Sequence, residues 1–110
     1  MTDKIVVLST CASPEEAGQI ARALVEKRLA ACVNVLPGVR SIYRWKDAVE
    51  DEPEILLVIK SSRALFNQLR IELERMHSYE VPEVIAIPVV AGSERYLAWM
   101  DRELVSELDS

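Results

Sequence analysis

Apolar and polar positions follow two different periods along this chain. "KIVVLSTC", Lys4 to Cys11, is a β-branched apolar run of strand length. "ASPEEAGQ" then carries a helix-start signature, with Ser13 as N-cap, Pro14 in the first helical position, and Glu15 and Glu16 at the positive end of the dipole. Ala17, Ile20, Ala21, Leu24 and Val25 recur at helical spacing and predict a helix to about Leu29. "ACVNVLPGVRSIYRW", Ala31 to Trp45, reads as a long strand bulged or bent at Pro37-Gly38. The polar, acidic "KDAVEDEP" is expected to form the hairpin connection into a strand at Glu54 to Lys60, "EILLVIK".

Ser61 or Ser62 is placed to cap a second helix, whose stripe is Leu65, Phe66, Leu69, Leu73 and Met76. "PEVIAIPVV" reads as a fourth strand. Gly92 and Ser93 break the chain before a C-terminal helix, "SERYLAWMDRELVSELDS", with Ser93 as its cap. The order βαββαβ plus a terminal helix defines an α+β, ferredoxin-like arrangement, a four-stranded antiparallel sheet with helices on one face. The strands are apolar on both sides. Ile55, Leu57 and Ile59 share one face of their strand, and Leu56 and Val58 lie on the other. Two helices cover one face, so the second must meet something: another copy of the chain, or the C-terminal helix folded across it. Pro88 cannot donate to a ladder, which makes the fourth strand an edge or a bulged strand.

At 110 residues and 12.4 kDa the chain is expected to form one domain spanning 1–110. A formal charge of −5 argues against nucleic acid as a general partner. No apolar stretch approaches the ~20 residues of a membrane span, and the N-terminus lacks a signal-peptide layout. Two cysteines are too few for a disulfide framework, so a reduced, cytoplasmic protein is expected.

The chemistry-bearing residues are sparse. His77, the single histidine, follows the second helical pattern, where its cation would meet the negative end of the dipole or its imidazole would serve as a metal ligand. Cys11 offers a thiolate as a second donor, or is a small buried hydrophobe like Cys32. Met76 lies on the apolar stripe and reads as core filler. Tyr43, Trp45, Tyr79, Tyr96 and Trp99 are read first as core or interface, and second as the walls of a pocket. Lys60, Glu54 and Glu83 sit at strand ends, solvated or converging with His77 and Tyr79 in a cleft between subunits. No triad, "GxSxG" elbow or P-loop is present, so no enzyme activity is expected.

"AACVNVLPGVRSIYRW", the glutamate opening "EILLVIKSS", then "HSYEVPEVIAIPV" and "YLAW" together closely resemble the CutA family of divalent-cation tolerance proteins. The resemblance covers nearly the whole chain, in order. It implies a ferredoxin-like subunit in a tight homotrimer, with copper or another divalent cation as ligand and no required cofactor. It also implies a metal site at Cys11 and His77, because copper binding in the family is tied to a first-strand cysteine and to histidines before the last strand. In this chain Ser9 stands where that cysteine would fall, with Cys11 two positions later on the same face. Met76 occupies the first of the paired histidine positions, "KDA" lacks the glycine common after the Trp45 position, and serines replace the usual threonines after Lys60.

The family's likeness to PII-type signalling trimers implies a second function, sensing a small molecule in an intersubunit cleft lined by Lys60, Tyr79, Glu83 and Trp99. A trimeric scaffold for protein partners is a third. With the first and last strands expected on separate edges of the sheet, Cys11 and His77 would share a site only across an interface.

Overall fold

Eight residues of alternating burial, Lys4–Cys11, form strand β1, and its register organises everything that follows. The computed structural model describes residues 1–105; the part of the expected C-terminal helix at 106–110 lies outside the described residues. After β1 come α1 (Pro14–Glu26), β2 (Cys32–Trp45), β3 (Ala48–Ser62), a short 3-10 turn (Arg63–Leu65), α2 (Phe66–Met76), β4 (Ile85–Pro88) and α3 (Glu94–Glu103). The four strands make one antiparallel sheet in the order β2-β3-β1-β4. This is the ferredoxin-like arrangement expected from the sequence, but β1 is a central strand paired with both β3 and β4. The expectation that the first and last strands lie on separate edges is therefore corrected.

Local chemistry explains most element ends. Ser13 caps α1, its side-chain oxygen accepting the Glu16 N–H at 3.2 Å. The helix stops at Glu26, short of Leu29, and Arg28 turns the chain in a left-handed conformation with φ 61°. Neither serine expected to cap α2 does so through its side chain. Ser62 precedes the 3-10 turn without a side-chain bond, and the Ser61 hydroxyl donates to the Leu29 carbonyl at 2.7 Å.

The hairpin differs more. "KDAVEDEP" is not a loop, because Ala48 to Pro53 already belong to β3 and pair with β2. Only Lys46 and Asp47 turn, both with positive φ (49° and 67°), the two-residue geometry that matches strand twist. The resulting arm is solvated on both sides, so its acidic pattern is compatible with a strand. Arg40 and Asp51 clasp it with paired bonds of 2.8 and 2.6 Å. The bend at Pro37-Gly38 is a bulge, with the register shifting between Leu36 and Val39 and Gly38 at φ 80°.

Ile5, Val7, Cys11, Ile55, Leu57 and Ile59 face the helices and join Ile20, Leu24, Leu69 and Leu73 in the buried core. The second face carries Val6, Leu8, Leu56, Val58, Ile85 and Ile87 by register. At one end of that face α3 is tied to the sheet, with Lys4 bonded to Asp101 at 2.6 Å and Lys60 to the Tyr96 hydroxyl at 3.4 Å. Over the rest the apolar face is open: Ile85 is 52 % and Ile87 47 % exposed. The C-terminal helix thus covers part of the second face and leaves the remainder uncovered. β4 is the edge strand that Pro88 requires, shorter than the expected run, with Pro88 as its last residue opposite Ile5.

Candidate functional site

Three donors from three elements meet at the end of β1. Cys11 is its last residue and points among the helices, fully buried. Glu16 sits in the capped first turn of α1, and His77 is the C-cap of α2. The Cys11 sulfur lies 3.8 Å from His77 Nε2, and His77 Nδ1 lies 3.6 Å from Glu16 Oε1. One donor atom from each residue falls within 4.8 Å of the others. Donors held by a tetrahedral ion through bonds of about 2.0–2.3 Å lie roughly 3.3–3.8 Å apart, so small side-chain movements would close this set around a metal.

The His77 ring is fully buried and accepts the Tyr79 N–H at Nδ1 (3.1 Å). Its neutral form therefore carries the proton on Nε2, which donates to the Thr10 carbonyl at 2.8 Å. An ion bound through Nε2 would displace the carbonyl and shift that proton to Nδ1, in place of the Tyr79 N–H bond. Glu16 is less settled: its Oε1 is buried with no hydrogen-bond partner, although buried acceptors are ordinarily paired. Burial, and then the charges of Glu16 and Glu54, push the Cys11 thiol up to about 11. The set thus combines a protonated thiol, a buried imidazole and an unsatisfied carboxylate oxygen, a mixture suited to zinc or copper.

Glu16 was not singled out as a donor from sequence. It stands four residues before Ile20, on the row that α1 buries, and that spacing could have identified it.

Beside this group, between the hairpin arm and residues 78–83, lies a cleft of about 630 Å³. Tyr79 joins the two features. Its ring lies 4.7 Å from that of His77, and its hydroxyl donates to Glu54 at 2.5 Å. Burial, followed by that bond and the Glu54 charge, pushes the Tyr79 phenol well above its ordinary value. Tyr79, Glu54 and Glu83 line the cleft together with Tyr43 and Trp45.

Lys60 and Trp99, expected with them, are elsewhere in the subunit. Lys60 is six residues along β3 from Glu54, about 20 Å at the rise of a strand. Trp99 packs partly buried against the core, 5.4 Å from Tyr96. The four residues expected to bind a ligand thus fall into two groups, separated because β3 runs the full length of the sheet. Cys32 is on the second face opposite Lys60, half-buried and far along β3 from Cys11's partner Ile55.

The fold and this cluster define the class: a small ferredoxin-like α+β protein in which Cys11, Glu16 and His77 bring three candidate metal donors together. The CutA1 divalent ion tolerance protein family matches residues 5–103. The chain is 47 % identical over 95 residues to the divalent-cation tolerance protein CutA of Thermus thermophilus, covering 86 % of this chain and 92 % of that one. It is 46 % identical over 101 residues to human protein CutA, covering 92 % of this chain and 56 % of the human one. The solved structure of the Cut A1 protein from Thermus thermophilus superposes with a TM-score of 0.90 at 44 % identity, covering 93 % of this chain and 99 % of that one. The chain belongs to the CutA1 divalent ion tolerance family. Among the described residues, no helix is long and apolar enough to cross a membrane.

Proposed function

We propose that this protein is a cytoplasmic homotrimer that binds copper or another divalent cation and contributes to tolerance of such ions. It acts as a binder, not a catalyst. The observation that carries the reading is the convergence of Cys11, Glu16 and His77 at the end of β1, with a buried carboxylate oxygen lacking any donor. Cys11 and His77 would supply the soft and borderline donors, and Glu16 would satisfy its orphan oxygen on the ion. Family membership and the name of the Thermus relative support tolerance as the outcome. The two free cysteines favour a reducing compartment.

Assembly is supported by the open second face. Apolar surface left wet forfeits about 2.5 kcal/mol per ~100 Å², and Ile85, Ile87 and Leu36 would leave water in a trimer packed through that face. The test is a titration of wild type, C11S, H77A and E16Q with Cu(II) and Zn(II), beside a thermal melt of each. Loss of a decade or more in affinity, about 1.4 kcal/mol per decade, with the fold retained supports the site. Unchanged affinity in all three variants overturns it.

A PII-like sensor of small molecules in an intersubunit cleft is the weaker alternative. The cleft has the volume for a small ligand, but its lining contains no Lys, Arg or His to meet an anion.

A further inference from the structure

Residues 78–83, which carry the chain from α2 towards β4, are held by one residue. Among the described residues, no backbone–backbone hydrogen bond ties this segment to the rest of the chain. Its hydrogen bonds are both made by Tyr79: the N–H donates to His77 Nδ1 at 3.1 Å, and the hydroxyl donates to Glu54 of β3 at 2.5 Å. A stretch with so few bonds lies at the low-stability end of a fold, where a local change is enough to move it.

The first of those bonds exists only while Nδ1 carries no proton. Nε2 faces the Cys11 sulfur at 3.8 Å, so it is the ring nitrogen placed to share an ion with that residue. With Nε2 on an ion, the neutral imidazole keeps its single proton on Nδ1, and the thiol's proton leaves to solvent. The Glu16 carboxylate, with Oε1 3.6 Å from Nδ1, offers an acceptor for the new N–H. The Tyr79 N–H has no second acceptor among the described residues, and two N–H donors cannot face each other at 3.1 Å. The segment therefore shifts, and the Tyr79 ring, 4.7 Å from that of His77, shifts with it.

We propose that Tyr79 is a relay: an ion on His77 breaks the Tyr79 N–H bond and, through the Tyr79 hydroxyl and Glu54, repositions residues 78–83 against the hairpin arm. The inference rests on the metal reading of Cys11, Glu16 and His77 and gives that site an output. By reciprocity the Tyr79–Glu54 bond holds the ion-free arrangement, so removing it favours the ion.

Trp45, on the arm beside Tyr79, is the reporter. The chain has two tryptophans, so W99F leaves Trp45 alone. The test is Zn(II) titration of the full chain, followed by calorimetry, by Trp45 fluorescence in W99F, and by hydrogen exchange of residues 78–83 in wild type, which also serves where W99F fails to fold. Trp45 emission is expected to change saturably at the calorimetric midpoint, and exchange over 78–83 to quicken. Y79F is expected to bind Zn(II) about fivefold or more tightly, and in the W99F background to lose most of the Trp45 response. A Tyr79 that merely supports the site would give weaker binding in Y79F. The relay is overturned if Zn(II) binds while Trp45 emission and exchange over 78–83 stay unchanged, or if Y79F binds no more tightly than wild type. Absence of any Zn(II) binding to wild type overturns the metal reading itself, and the relay with it.

Discussion

The Cys11 sulfur and His77 Nε2 lie 3.8 Å apart, although 66 residues separate them in sequence. β1 runs between β3 and β4, so its end meets the turn that carries the chain from α2 into β4. A site containing both residues therefore fits inside one chain, and its affinity need not depend on assembly with further copies.

The protonation state of the thiol sets how that site should respond to pH. Cys11 is pushed up to about 11, so at neutral pH the sulfur keeps its proton, and a metal must displace it to bind. Apparent affinity is expected to rise with pH from neutrality towards about 11, by up to tenfold per unit, or about 1.4 kcal/mol. Calorimetry in buffers of different ionisation enthalpy should count about one proton released per ion, absent in C11S. Equal proton release in both proteins would show that the sulfur is not a ligand.

The two faces of β3 should respond differently to charge. Leu57 is fully buried under the helices, whereas Val58 is half-buried on the open second face. Leu57→Asp is expected to cost about 3–5 kcal/mol and unfold the subunit, because the carboxylate would be buried unpaired. Val58→Asp should keep the subunit folded and abolish assembly. Circular dichroism beside sedimentation separates the two, and identical behaviour would refute the assignment of the second face as the interface.

Much of this fold was legible from the sequence, because it rests on local chemistry. The Ser13 cap, the Pro37-Gly38 bulge and the edge position of Pro88 each follow from what one or two residues can do. The hairpin arm is not legible, because an acidic stretch resembles a loop and a solvated two-stranded ribbon needs no apolar alternation to pair. Strand order and the partition of site residues were not legible either. In sequence Glu16 reads as a dipole-compensating residue, and only the fold brings its carboxylate beside Cys11 and His77. Both Lys60 and Tyr79 read as cleft residues from sequence, and the length of β3 separates them within the chain.

Ser9 offers a test of the core alone. It is fully buried on the helix-facing side of β1, and its hydroxyl has no hydrogen-bond partner. Ser9→Ala removes an unsatisfied polar atom, so urea denaturation should show unchanged stability or a gain of up to about 1 kcal/mol. A loss of more than about 1 kcal/mol would mean that the hydroxyl is satisfied, for instance by buried water.

Cobalt substitution tests the metal site most directly, because a thiolate ligand gives Co(II) a charge-transfer band that nitrogen and oxygen donors do not. Wild-type protein titrated with Co(II) is expected to develop that band, C11S to lack it, and H77A and E16Q to show it only at higher cobalt concentration. A folded wild-type protein whose cobalt spectrum shows no thiolate band would contradict a metal centre at Cys11, Glu16 and His77.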